Sequence, residues 1–151
     1  MPSRPPNILL AFSDQQSARH GLLHLDAPHQ DRLAREGTRF RAAYCVAPQC
    51  TPARAALLTG LYPHTTGVET NLGAAHAMPL SPRWPTFAVY LQQAGYQTAY
   101  FGKWHVHPEL DPTAFGFDVA YCPAGHGKID QPVTDRACAW LESARPPWLL
   151  V

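Results

Sequence analysis

Asn7-Ile8-Leu9-Leu10-Ala11-Phe12 is an unbroken apolar run that stops at Ser13-Asp14-Gln15-Gln16. A run of this length without alternating polar positions reads as a strand buried on both faces of a parallel sheet, and the polar stop marks its carboxyl end. Ligands of open α/β sheets gather at that edge, so Asp14 carries positional meaning beyond its charge. Read alone, Asp14 also fits a side chain that caps the turn after the strand.

The pattern recurs downstream. Tyr96-Gln97-Thr98-Ala99-Tyr100-Phe101 reads as extended and runs into Gly102-Lys103-Trp104-His105, a second polar cluster at a second strand end. Between and around these runs lie helical stretches: His29 to a closing Gly37, Thr86 to Gln93 ending near Gly95, and Asp135 to Ser143. Thr38 to Tyr44 reads as extended, Met78 to Pro85 as a proline-rich surface connection, and Pro147 to Val151 as a strand cut in its hydrophobic middle. Strands alternating with helices predict an α/β fold, a mostly parallel sheet flanked by helices on both faces. Leu33, Phe40, Leu57, Leu58, Phe87, Leu91 and Trp140 are the core positions that periodicity selects.

With 151 residues, 46% of them hydrophobic, the chain has the apolar content for one globular core. A net charge of +1 supplies neither the basic field of a nucleic-acid binder nor a strong attraction to a membrane surface. The N-terminal apolar run is too short to span a bilayer and lacks a signal-peptide cleavage pattern, so a cytoplasmic location is expected. Cys45, Cys50, Cys122 and Cys138 form no C-x-x-C pair, and Cys45, Cys122 and Cys138 read as buried thiols. His20, His24, His29, His76, His107 and His126 show no metal-ligand spacing, although His107 lies close to His105. His64 fits either a site wall or packing under the Tyr62-Pro63 turn.

Cys50 stands apart from the other cysteines. Thr51 suits a helix cap, Pro52 a first helical turn, and Ala53 to Leu58 are strong helix formers, so Cys50 sits at a helix N-terminus. Backbone N–H groups and the partial positive charge of that end favour a developing anion.

Cys50-Thr51-Pro52-Ala53-Arg54, with Leu58-Thr59-Gly60 behind it, resembles the C-x-P-x-R signature of the sulfatase family and its trailing L-T-G. Tyr62-Pro63-His64, Gly102-Lys103-Trp104-His105, the opening Asn7-Ile8-Leu9-Leu10 with Asp14, Asp31-Arg32-Leu33-Ala34 and Glu36-Gly37 are similar to further family segments in the same order. The resemblance runs over nearly the whole chain. It implies that residues 1–151 form the N-terminal part of a sulfatase catalytic domain of the alkaline phosphatase superfamily, C-terminally truncated, with the second half of the domain absent from this chain.

The same resemblance implies a chemistry. A formylglycine-generating, sulfatase-maturating enzyme would oxidise Cys50 to formylglycine, whose hydrate attacks a sulfate ester of a small molecule or sugar. Arg54 would hold the formylglycine oxygen. Lys103 would neutralise a sulfate oxygen and His105 would handle a proton, their i, i+2 spacing on an extended segment placing both on one face. Asp14 is the implied ligand of a divalent metal, Ca²⁺ in most of the family, together with the modified Cys50. Gln15 stands where many members have a second aspartate, and its amide oxygen is a weaker, uncharged ligand. The alternatives are a phosphonate or phosphate ester hydrolase of the same superfamily, and a catalytically inactive fragment or anion-binding remnant.

Overall fold

The computed structural model describes residues 4–14, 16, 26–124 and 129–151. Gln15, His20, His24 and His126 lie outside the described residues. Chain contacts divide into two units, Met1–Ala11 with Val46–Val151, and Phe12–Cys45. In chain order the elements are β1 (Ile8–Leu9), α1 (Pro28–Glu36), α2 (Cys50–Thr59), α3 (Pro63–Thr66), α4 (Phe87–Gln93), β2 (Gln97–Phe101), β3 (Val119–Tyr121), α5 (Asp130–Ser143) and β4 (Trp148–Leu150). A 3-10 turn at Pro112–Phe115 precedes β3.

Among the described residues the first unit holds a four-stranded sheet in the order β1-β4-β2-β3, parallel at every pairing. The expected α/β architecture is therefore present. The chain's last strand lies inside the sheet, with Leu149 opposite Ile8 on one side and Thr98 on the other. Side chains alternate across β2. Tyr100 reaches Arg54 of α2 on one face, and Phe101 meets Trp140 of α5 with ring centroids 6.4 Å apart on the other. Helices thus flank both faces.

Several local expectations shift. The Asn7–Phe12 run contributes only two paired residues, Ile8 and Leu9, as an edge strand of this sheet, and Leu9 and Phe12 are exposed rather than buried. α5 starts at Asp130, earlier than expected, since Pro132 falls in the first turn, where a helix needs no N–H. Its sheet-facing stripe is Val133, Ala137, Trp140 and Leu141, which leaves Cys138 exposed instead of buried. α2 buries Thr51, Arg54, Ala55 and Leu58, an i, i+3, i+4, i+7 stripe, so Leu57 points outward. Leu80 is fully buried and its N–H donates to Val106 O (2.9 Å), making the 78–85 connection partly internal.

The second unit, Phe12–Cys45, contains α1. No residue of α1 is buried; Leu33 is 66% exposed. Residues 38–44 form no strand, and Phe40, Tyr44 and Cys45 are exposed, so neither Phe40 nor Leu33 is a core residue and Cys45 is not a buried thiol.

The core of the first unit is aromatic where it supports the loop after β2. Tyr100, Trp104, Phe115 and Phe117 are buried and pack at centroid distances of 5.2 to 5.3 Å. Phe117 follows Gly116, which has φ 93°, and a Cβ there would stand 2.6 Å from the Val89 backbone nitrogen. Only glycine permits that approach of the β3 connection to α4.

Candidate active site

α2 starts two residues earlier than the Thr51 cap expectation places it. Gln49 is the extended N-cap and Cys50 the first helical residue, and the helix ends at Gly60, whose left-handed φ of 70° lets its N–H reach Ala56 O. Cys50 is half-buried. Lys103 Nζ lies 3.5 Å from Cys50 Sγ, bringing an ammonium to the side chain at position 50.

Thr51 is not the cap. It is completely buried, and its hydroxyl donates to His105 O (2.9 Å) while accepting from Leu72 N–H (3.3 Å). Its own N–H donates to Asn71 Oδ1 (2.9 Å), so the cap comes from a loop twenty residues away. Pro52 has no N–H, and the Ala53 N–H donates to Gln49 O (3.1 Å). Positions 51, 52 and 53 therefore hold no amide in reserve for an anion, which corrects the picture of an open helix N-terminus. Positive charge reaches Cys50 through the Lys103 side chain instead.

Arg54 is 8% exposed. Its Nη1 donates to Lys103 O (2.6 Å) and to Tyr100 Oη (3.2 Å), and the Tyr100 hydroxyl donates to the same Lys103 carbonyl (2.6 Å). Lys103 O is thus held from two sides, by the helix and by the strand that precedes the loop. A charged donor shared with a hydroxyl on one carbonyl is a strong, directional arrangement. It uses a permanent cation to set backbone position.

The Lys103-Trp104-His105 segment is consequently pinned by α2 at both ends, Lys103 O by Arg54 and His105 O by Thr51. Trp104 fills the space beneath, buried, with its indole N–H donating to Leu110 O (2.8 Å). Sequence reasoning places Lys103 and His105 on one face of an extended segment, and the structure differs. His105 has φ 56°, a left-handed conformation that costs a non-glycine residue about 1 kcal/mol, so simple alternation does not hold there. The Thr51 hydrogen bond at the carbonyl of that residue helps offset the strain.

Of the four predicted residues, Lys103 meets Cys50 side chain to side chain, Arg54 reaches the Lys103 carbonyl, and His105 joins α2 through its own carbonyl, which Thr51 holds. Tyr100, Thr51 and Asn71 belong to the same arrangement and carry no motif that marks them in the sequence. His107 lies outside it. Its Nδ1 accepts from Glu109 N–H (3.2 Å) and Leu110 N–H (3.0 Å), which makes it a local turn cap. His64 stacks on Tyr62 at 5.7 Å and both are exposed.

Cys122 is half-buried. Burial, then the nearby Asp111 carboxylate, pushes its thiol up to about 12, with the Arg54 guanidinium pulling the other way. It stays protonated at physiological pH and offers no competing thiolate. Asp14 is exposed and lies in the second unit. Among the described residues no group of three or more His, Cys, Asp or Glu comes together. A calcium ion takes six to eight oxygen ligands. The described residues do not by themselves make that shell. Among the described residues no helix is long and apolar enough to cross a membrane.

A parallel α/β sheet carries a cysteine at a helix start, with a lysine ammonium beside it and a buried arginine holding that lysine's carbonyl. The sulfatase family model matches residues 6–151, and the chain belongs to the sulfatase family. It is 42% identical over 113 residues to a mouse steryl-sulfatase, covering 68% of this chain and 18% of that protein. Against an N-acetylglucosamine-6-O-sulfatase of Bacteroides thetaiotaomicron it is 37% identical over 120 residues, covering 77% of this chain and 20% of that protein. The chain thus spans about a fifth of the length of these curated relatives. A solved structure in complex with its substrate D-glucosamine-2-N,6-O-disulfate superposes with a TM-score of 0.79 at 30% identity, covering 97% of this chain and 33% of the other. A second, in complex with k-i-k-neocarrahexaose, reaches 0.80 at 24% identity, covering 97% and 44%, and speaks for the fold alone.

Proposed function

We propose that the protein carrying this chain hydrolyses sulfate esters of small molecules or sugars, with residue 50 as the nucleophile. The observation that carries this reading is the Lys103 ammonium 3.5 Å from Cys50 Sγ, at the start of a helix that also pins the lysine's own backbone. In a sulfatase-family chain, a fixed cation beside position 50 is what an incoming sulfate group requires.

Formylglycine made from Cys50 by a maturating enzyme supplies, as its hydrate, one hydroxyl to attack sulfur and a second whose deprotonation releases sulfate. The chain's own residues do the rest. Lys103 binds and neutralises a sulfate oxygen as charge builds on the transferring group. Arg54 keeps the Lys103 carbonyl, and hence that ammonium, from drifting, a positioning role that costs no reorganisation during reaction. His105 takes the proton of the second hydroxyl and returns it to solvent. By the same family resemblance, Asp14, Gln15 and the oxygen at position 50 are the proposed ligands of a divalent cation, Ca²⁺, which would add Lewis-acid polarisation when bound.

Peptide mass spectrometry of residue 50, followed by turnover of an aryl sulfate, its phosphate analogue and its phosphonate analogue, tests this reading. An aldehyde at position 50, preference for the sulfate ester, and loss of turnover in Cys50→Ala are expected. Preference for the phosphate or phosphonate reassigns the protein within the superfamily, and full sulfatase activity in Cys50→Ala removes residue 50 as nucleophile. An unmodified thiol and no turnover on any of the three esters would favour an inactive, anion-binding role.

A further inference from the structure

Asn71 lies in no motif, twenty-one residues beyond Cys50, and yet its side chain closes the N-terminus of α2. Gln49, the N-cap, cannot do so, because its amide oxygen is turned to the loop, accepting from Asn71 N–H (3.1 Å) and the Thr70 hydroxyl (3.1 Å). Gln49 thereby holds the Asn71 backbone, and Asn71 Oδ1 accepts from Thr51 N–H (2.9 Å). Thr51, completely buried, passes its hydroxyl to His105 O (2.9 Å) and takes Leu72 N–H (3.3 Å). The chain of contacts runs from the loop at 70–72, through the residue next to the nucleophile, to the backbone of the proposed proton-handling residue.

We infer that Asn71 is a positioning residue for His105, acting through Thr51. The inference rests on the proposed function for the role of His105, whereas the relay itself is geometric. Two features make Asn71 more than a helix cap. Position 51 is adjacent to residue 50, so the Thr51 amide orients the peptide unit that carries the nucleophile. His105 holds a left-handed backbone (φ 56°) that its local sequence does not favour, so the direction of its imidazole depends on what grips its carbonyl. Thr51 is that grip, and Asn71 and Leu72 set the Thr51 position from the other side. Misplacing a proton-transfer group by about an ångström typically costs up to a hundredfold in rate, with little effect on substrate binding.

The test compares Asn71→Leu, Asn71→Asp and Thr51→Val in the protein as its host makes it, with the formylglycine fraction at position 50 measured for each by mass spectrometry. Per modified site, Asn71→Leu and Thr51→Val should each lower kcat for an aryl sulfate by about tenfold with KM nearly unchanged. Asn71→Asp keeps the acceptor oxygen and should stay within about threefold of the parent. The double variant Asn71→Leu/Thr51→Val should be no slower than the slower single one, because both cut one relay. Equal loss in Asn71→Leu and Asn71→Asp, multiplicative loss in the double variant, or a change confined to KM overturns the inference. A readout without turnover separates this result from failure of the proposed function. The ¹H–¹⁵N resonances of the His105 imidazole should move in Asn71→Leu and Thr51→Val relative to the parent protein. Unmoved resonances in folded variants overturn the relay even if the enzyme proves to be a sulfatase, and moved ones sustain it even if aryl sulfates are not turned over.

Discussion

Two helices of nearly equal length show how differently one chain can use the same local structure. α1 has nine residues and α2 has ten, and each carries proline in its first turn. α1 buries none of its residues and is laced on its surface by Arg32 and Glu36, 3.7 Å apart with both side chains about two-thirds exposed. α2 buries Thr51, Pro52, Arg54, Ala55 and Leu58, including a hydroxyl and a guanidinium that each hold a carbonyl of the 103–105 loop. Helix propensity accounts for both. What separates them is that polar groups of α2 replace water with fixed backbone partners, and a buried polar group in that position is costly to disturb. Charge alone therefore says little; the difference between Arg32 and Arg54 lies in their surroundings.

That contrast can be broken most severely at Arg54. Arg54→Leu should lower kcat by about a hundredfold and stability by about 2–3 kcal/mol, because Lys103 O loses its charged donor and the Lys103 ammonium loses its register with position 50. Chemical denaturation alongside steady-state kinetics checks both, and an Arg54→Leu enzyme with parental kcat would show the clamp to be irrelevant to turnover. Tyr100→Phe is milder. It keeps the ring among Trp104 and Phe117 and removes only the hydroxyl, so a loss of about 1–2 kcal/mol and a smaller fall in kcat are expected.

A third test moves to the far end of the sheet connection. Burial raises the Asp118 carboxyl, but hydrogen bonds from Thr98 N–H, the Gln92 amide and the Thr98 hydroxyl outweigh it and hold the group below its ordinary value of 3.8. The unfolded chain then takes up the proton at higher pH than the folded one, so this contribution is present above about pH 4 and drains away as pH falls through the folded value. Thermal melts on descending pH should show a shallower acid decline in Asp118→Asn than in the parent. Equal slopes would mean that other carboxylates set the acid limit. The smallest effect belongs to α1, where Arg32→Ala should change stability by less than about 0.5 kcal/mol, as for other exposed ion pairs.

Much of the candidate site was legible from the sequence because its chemistry is carried by contiguous residues. Cys50 and Arg54 lie four apart on one helix, and Lys103 and His105 lie just past one strand, so a short window contains each half. The joining of the halves was not legible. Nothing in Tyr96–Phe101 distinguishes Tyr100 from an ordinary core aromatic, and nothing in Thr70-Asn71-Leu72 signals a cap for a distant helix, since both roles exist only once separate segments meet. The core choices failed where periodicity was read without a partner. Leu57 lies on the wrong side of the buried stripe of α2, and Leu33 and Phe40 sit where the described residues offer nothing to pack on.

By itself the sequence determined the α/β alternation, the presence of a helix just behind Cys50 and the sulfatase signature, because propensity, apolar runs and motif spacing are properties of neighbouring residues. Only the tertiary structure decided the β1-β4-β2-β3 order, the burial of Arg54 and the grip of Thr51 and Asn71 on the loop. These depend on hydrogen bonds between residues about twenty to more than fifty positions apart, and on strand pairings that span most of the chain. Partners at such distances are chosen by how the whole core packs, which no local window contains.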